Sequence, residues 1–143
     1  MKCIAYLSSP IVNPTKNELA IMGAQFEKMN TQRSLSGFLI YDHKKFFQYL
    51  EGPEEEVNTL FNKIELDSRH TLIAQATANT TYKRFSSWGM RVLGFSNLER
   101  ILPENELIDL ISFSAKHPKL LPQWELLAWH IIDQIAYKKE NLI

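Results

Sequence analysis

The sequence predicts an α/β (α+β) sandwich of the ferredoxin-like βαββαββ kind. A five-stranded mixed sheet would carry two helices over one side and two C-terminal helices over the other. Two observations lead there. Two amphipathic helical patterns each follow a strand-like run, and the two runs between those helices, residues 37–42 and 46–50, are apolar at both parities. Strands of that composition are covered on both faces and so belong in the middle of a sheet.

Residues 2–9 open the chain with alternation, Ile4, Tyr6 and Ser8 on one face and Cys3, Ala5 and Leu7 on the other. Asn13-Pro14 breaks the strand, and Thr15-Lys16-Asn17-Glu18 has the spacing of a capping box. Leu19, Met22, Phe26 and Met29 then recur at helical spacing. After the central strand pair, joined at 42–45, Pro53 falls at the first position of a second helix. Glu54, Glu55 and Glu56 suit its electropositive end, and Val57, Leu60, Phe61 and Ile64 form its buried stripe. A fourth strand is expected over 71–77 and a fifth from Trp88 to Phe95. Two more helices follow. One starts at Pro103 and stops at His117-Pro118; the other starts near Pro122 and carries Trp124, Leu127, Ala128, Ile131 and Ile135 on one side.

Composition narrows the function. The chain has 143 residues, 45 % apolar and 22 % charged, enough for one domain with a real core. Basic and acidic side chains balance at 16 each, which gives no basic surplus for nucleic acid. One cysteine, Cys3, excludes an intrachain disulfide and suits a reducing cytoplasm. No apolar run reaches membrane-span length, and the amino terminus lacks a signal-peptide pattern. The four histidines have no metal-ligand spacing, and no Gly-rich phosphate loop or nucleophile elbow is present.

Gln48 is the residue hardest to explain as ordinary structure. It is a lone amide among Phe46, Phe47, Tyr49 and Leu50, and a buried amide without a partner costs about 1–3 kcal/mol. Tyr6, on the first strand, can face the same helix-covered side, so the two could satisfy each other or bond to nearby backbone.

Three separated segments, Tyr6-Leu7-Ser8, the run Phe47-Gln48-Tyr49-Leu50-Glu51-Gly52, and Trp88-Gly89-Met90, together with Asn30 and Asp67-Ser68-Arg69-His70, resemble the flavin-binding blue-light sensors called BLUF domains. The resemblance implies a photosensory core over residues 1–97 and a helical extension over 98–143 serving output or oligomerisation. It implies one non-covalent FAD, with FMN or riboflavin as substitutes. Tyr6, Ser8, Met22, Asn30, Gln48, Lys63, Ile64, Arg69 and His70 would bind it. Tyr6, Gln48, Trp88 and Met90 would be photoactive: light draws an electron and a proton from Tyr6, both return, and the Gln48 amide is left rearranged. Two positions depart from relatives. Met29 stands where a polar residue is frequent, and Lys63 replaces an arginine, keeping the charge but losing bidentate geometry.

The implied protein is therefore a photoreceptor and not an enzyme, cytoplasmic, without membrane or nucleic-acid contacts. The chain leaves no length for a cyclase or phosphodiesterase, so output would pass to a protein partner or through a homo-oligomer, with Trp124 and Trp129 as candidate anchors. The alternative is a light-insensitive interaction module that kept the fold and lost the cofactor.

Overall fold

The computed structural model describes residues 1–42, 44–93 and 121–138. In chain order the elements are β1 (Lys2–Pro10), α1 (Lys16–Gln32), β2 (Ser36–Asp42), β3 (Lys45–Gly52), α2 (Glu54–Leu66), β4 (His70–Asn79), β5 (Arg91–Leu93) and α3 (Leu121–Lys138). The strands form one sheet in the order β4-β1-β3-β2-β5; β2 pairs with β5 in parallel and the other neighbours are antiparallel. This is the ferredoxin-like arrangement expected, with β1 and β3 at the centre.

Alternation sorts the core into two sides. Ile4 and Tyr6 of β1, Leu39 of β2, and Phe46 and Leu50 of β3 face α1 and α2. Ala5, Leu7, Phe38, Phe47 and Tyr49 face the opposite way, where Trp124, Ala128, Ile131, Ile132 and Ile135 of α3 cover them. Trp124 is wholly buried and Trp129 partly so, which makes both packing residues. The other C-terminal helix, expected from Pro103, and the 97/98 boundary lie outside the described residues.

Local chemistry explains the helix ends. Thr15 and Glu18 form the reciprocal capping box, Glu18 N–H donating to Thr15 Oγ1 at 3.1 Å and Thr15 N–H to Glu18 Oε1 at 3.4 Å. At the far end α1 closes in a Schellman turn. Ser34 sits at φ 59°, its N–H donates to Thr31 O (3.3 Å), and Leu35 N–H donates to Asn30 O (2.8 Å). The helix thus runs two residues past Asn30. Pro53 occupies the N-cap of α2, one position earlier than expected, and its carbonyl accepts from Val57 N–H at 3.0 Å.

The largest departure is at β5. Strand pairing begins only at Arg91, because residues 80–90 turn instead of extending. Met90 lies in the cluster under α1, whereas Trp88 lies in the cluster under α3. A strand starting at Trp88 would put both on one face; the turn instead sends them to opposite sides of the sheet.

Candidate functional site

Between α1 and α2, above the sheet, lies a cleft of about 700 Å³. That volume falls within the range of small-ligand and cofactor sites. All nine residues expected to bind a ligand line it: Tyr6, Ser8, Met22, Asn30, Gln48, Lys63, Ile64, Arg69 and His70. Trp88 and Met90 do not, although Met90 Sδ accepts from the Gln48 amide at the floor.

The floor comes from register. β1 pairs with β3 so that Tyr6 stands directly opposite Gln48, and both side chains rise on the same face. Cross-strand partners are close enough to bond. Tyr6 Oη donates to Gln48 Oε1, and Gln48 Nε2 donates to Met90 Sδ at 3.4 Å. Tyr6 is 5 % exposed and Gln48 5 %, so the chain Tyr6–Gln48–Met90 is dry. Burial, reinforced by the negative charge of Asp67, holds the Tyr6 phenol well above its ordinary pKa. Tyr6 is therefore a protonated donor throughout the physiological range. Thioether sulfur is a weak acceptor, so one end of the Gln48 amide is strongly held and the other loosely.

Ser8 is informative for a different reason. The ladder between β1 and β4 shifts between Leu7 and Ser8, a bulge that leaves Ile73 without an opposite residue. Beside it Ser8 Oγ is fully buried and finds no hydrogen-bond partner among the described residues. Buried polar atoms are rarely left so. An orphaned hydroxyl facing an apolar cleft is what a ligand with polar ring atoms would satisfy.

The walls are mostly apolar: Met22, Phe26 and Met29 from α1, Leu60 and Ile64 from α2. Asn30 is 4 % exposed and projects from the last full turn of α1, its carbonyl fixed by the Schellman turn. The side chain is thus not needed to close the helix, whose last turn is made by the Ser34 and Leu35 N–H groups. At the mouth, Arg69 is bidentate on Asp67 (Nη2 to Oδ2 2.7 Å, Nε to Oδ1 3.0 Å), and its own N–H caps the same carboxylate at 2.9 Å. His70 Nε2–H donates to Ile64 O at 2.6 Å and its ring lies edge-on to Tyr6. Lys63, Arg69 and His70 thus line the cleft beside Asp67.

Sequence reasoning missed Ile11, Val12 and Pro14 at the rim and Asp67 as a partner for Arg69. The rim follows from where β1 ends, which alternation alone does not reveal. Arg84 pairs with Asp133 of α3 at the surface on the far side of the sheet. Among the described residues no cluster could hold a metal ion, and no helix is long and apolar enough to cross a membrane.

Comparison with known proteins identifies the family of this fold. Residues 1–91 match the family model for BLUF, sensors of blue light using FAD. The chain is 36 % identical over 72 residues to a photoactivated adenylate cyclase alpha subunit from Euglena gracilis, which covers 50 % of this chain and 7 % of that protein. It is 34 % identical over 74 residues to the blue light- and temperature-regulated antirepressor BluF of Escherichia coli, 51 % of this chain and 18 % of that one. The matched segment is thus a small part of those relatives. Among solved structures, the dark state of the BLUF protein BlrB superposes with a TM-score of 0.73 at 25 % identity and covers 96 % of both chains. A Klebsiella pneumoniae protein, BlrP1, solved with FMN and cyclic diGMP, superposes at 0.62 and 28 % identity over 71 % of this chain and 29 % of that one.

The chain belongs to the BLUF family. It carries a blue-light sensing domain that uses FAD.

Proposed function

We propose that the cleft between α1 and α2 is the FAD site, and that light is registered as a rearrangement of the Tyr6–Gln48–Met90 chain at its floor. The observation that carries this reading is the buried Gln48 amide, bonded to Tyr6 on one side and only to a sulfur on the other. Ser8, Asn30, Met22 and Ile64 would hold the ring, by the orphaned hydroxyl, the amide and apolar packing respectively. Lys63, Arg69 and His70 would serve the phosphate end, with Asp67 already offsetting the Arg69 charge. Bound FAD supplies the blue absorption and the light-driven redox change.

The protein's part is hydrogen bonding. Tyr6 holds its proton against Gln48 Oε1. A half-turn of the Gln48 amide exchanges its donor and acceptor ends. Nε2 then faces the Tyr6 oxygen, and Met90 Sδ loses its donor. The rearrangement is therefore felt on the segment before β5 without any lasting chemical change.

Output in this reading passes through protein contacts, in the cytoplasm, to a partner or a second copy. Exposed Leu126 and Tyr137 on α3 support that side as the contact surface. The experiment is an absorption spectrum of the chain loaded with FAD, in the dark and after blue light. A small reversible red shift is expected. Failure to take up FAD, FMN or riboflavin would favour the cofactor-free interaction module instead.

A further inference from the structure

Outside the cleft, the described residues include one buried carboxyl group. Glu51 of β3 is 0 % exposed and by alternation lies on the face opposite Gln48. Its carboxylate is fully engaged. Oε1 accepts from Tyr49 Oη (3.0 Å) and Arg84 N–H (2.8 Å); Oε2 accepts from Ser36 Oγ (2.7 Å) and Phe85 N–H (2.7 Å). A carboxylate taken out of water needs such donors, and backbone N–H groups taken out of water need acceptors in turn.

Those two N–H groups begin the segment that crosses from one side of the sheet to the other. Phe85 and Trp88 pack in the core under α3, and Met90 packs under α1 beside Gln48. Between them Trp88 N–H donates to Phe85 O (2.8 Å), and Gly37 N–H donates to Trp88 O (2.9 Å). The Arg84 side chain meanwhile pairs with Asp133 of α3. The crossing is thus held by a side chain at its start and by strand contacts thereafter.

We propose that Glu51 is a positioning residue: by fastening the backbone at Arg84 and Phe85 it sets where Met90 Sδ meets the Gln48 amide. The consequence for light sensing rests on the reading above, because Gln48 would then work against an anchored sulfur. The anchor itself does not depend on light. Gln at position 51 keeps the shape but turns one acceptor oxygen into a donor facing two other donors, whereas Asp keeps both acceptors on a shorter arm.

The test uses the full chain loaded with FAD and methyl-labelled methionine. The four methionines give four signals, and Met90 is assigned by its loss in Met90→Leu. In darkness Glu51→Gln is expected to displace the Met90 methyl signal while Met22, which packs against the same cluster from α1, keeps its position. Glu51→Asp should fall between. Under blue light the displacement of the Met90 signal seen in the parent chain should shrink in Glu51→Gln. An unmoved Met90 signal in the dark, or equal movement of Met22 and Met90, would overturn the proposal. Should Glu51→Gln fail to fold, amide exchange at Arg84 and Phe85 of the parent chain reads the anchor directly. Strand-like protection supports it, and exchange at the pace of an open turn overturns it. If the parent chain shows no light response, the photosensing reading fails, yet the dark Met90 displacement still decides the anchor.

Discussion

At the level of single residues the site is a contrast between firm and loose bonds. Tyr6 and Gln48 could be paired from sequence, because alternation places Tyr6 on one strand face and Gln48 is polar where its neighbours are apolar. Which neighbour takes the other end of the amide could not, since that depends on where the segment before β5 crosses the sheet. Asp67 was equally illegible: a turn residue acquires its role only when Arg69 folds back on it. The Arg69 side chain, then its backbone N–H, holds the Asp67 carboxyl down at about 2 against opposing desolvation. Because the folded value lies below the unfolded one, the stabilisation is present above about pH 4 and is lost as pH falls towards about pH 2. Arg69 is 84 % exposed, so solvent screens the pair and its worth stays under about 1 kcal/mol. Asp67→Asn should therefore melt a few degrees lower than the parent chain at neutral pH and converge with it near pH 2. Identical melting at neutral pH would show that the pair contributes nothing.

At the level of elements, periodicity and caps located the helices and most strands. The capping box of Thr15 and Glu18 formed as the spacing requires. The end of α1 was less legible, because Ser34 takes a left-handed conformation that Ser adopts at a cost while no glycine marks the stop. Ser34→Gly should relieve that cost and raise stability by about 0.5–1 kcal/mol, read by denaturant midpoint. A loss of stability would mean that the Ser34 side chain matters in a way the turn geometry does not express. The missed crossing before β5 has a physical cause too. Trp88, Gly89 and Met90 look like strand by composition, but the backbone passes against α1 so closely that a Cβ on Gly89 would lie 2.7 Å from Thr31 Oγ1 and 2.9 Å from Glu27 Cγ. Gly89→Ala should cost about 1–3 kcal/mol through that overpacking, and the light response should weaken with it. An unchanged melting curve would place the crossing farther from α1 than it stands here.

At the level of the whole molecule, two cores share one sheet. The order β4-β1-β3-β2-β5 puts Tyr6 and Gln48 side by side on β1 and β3, each 5 % exposed at the floor of the cleft. The fold was legible from β2 and β3, which are apolar at both parities, and from the helical spacing of the apolar residues in α1 and α2. The partner that covers the second face was legible as an amphipathic helix, and α3 lies there. Its coupling to the sensing side was not, because Arg84, Asp133 and Glu51 come from three distant stretches of chain. The exposed Arg84–Asp133 pair is expected to carry little stability, so Asp133→Asn should leave melting nearly unchanged. A large drop would make that contact part of the core.

The central claim is that the Gln48 amide converts light into a change of hydrogen bonding. Its most direct test is the dark and illuminated absorption spectrum of Gln48→Leu beside the parent chain, both loaded with FAD. The parent should shift reversibly to the red, and Gln48→Leu should bind FAD through the surviving apolar walls yet show no shift. A full, reversible shift in Gln48→Leu would contradict the account and remove that amide from the mechanism.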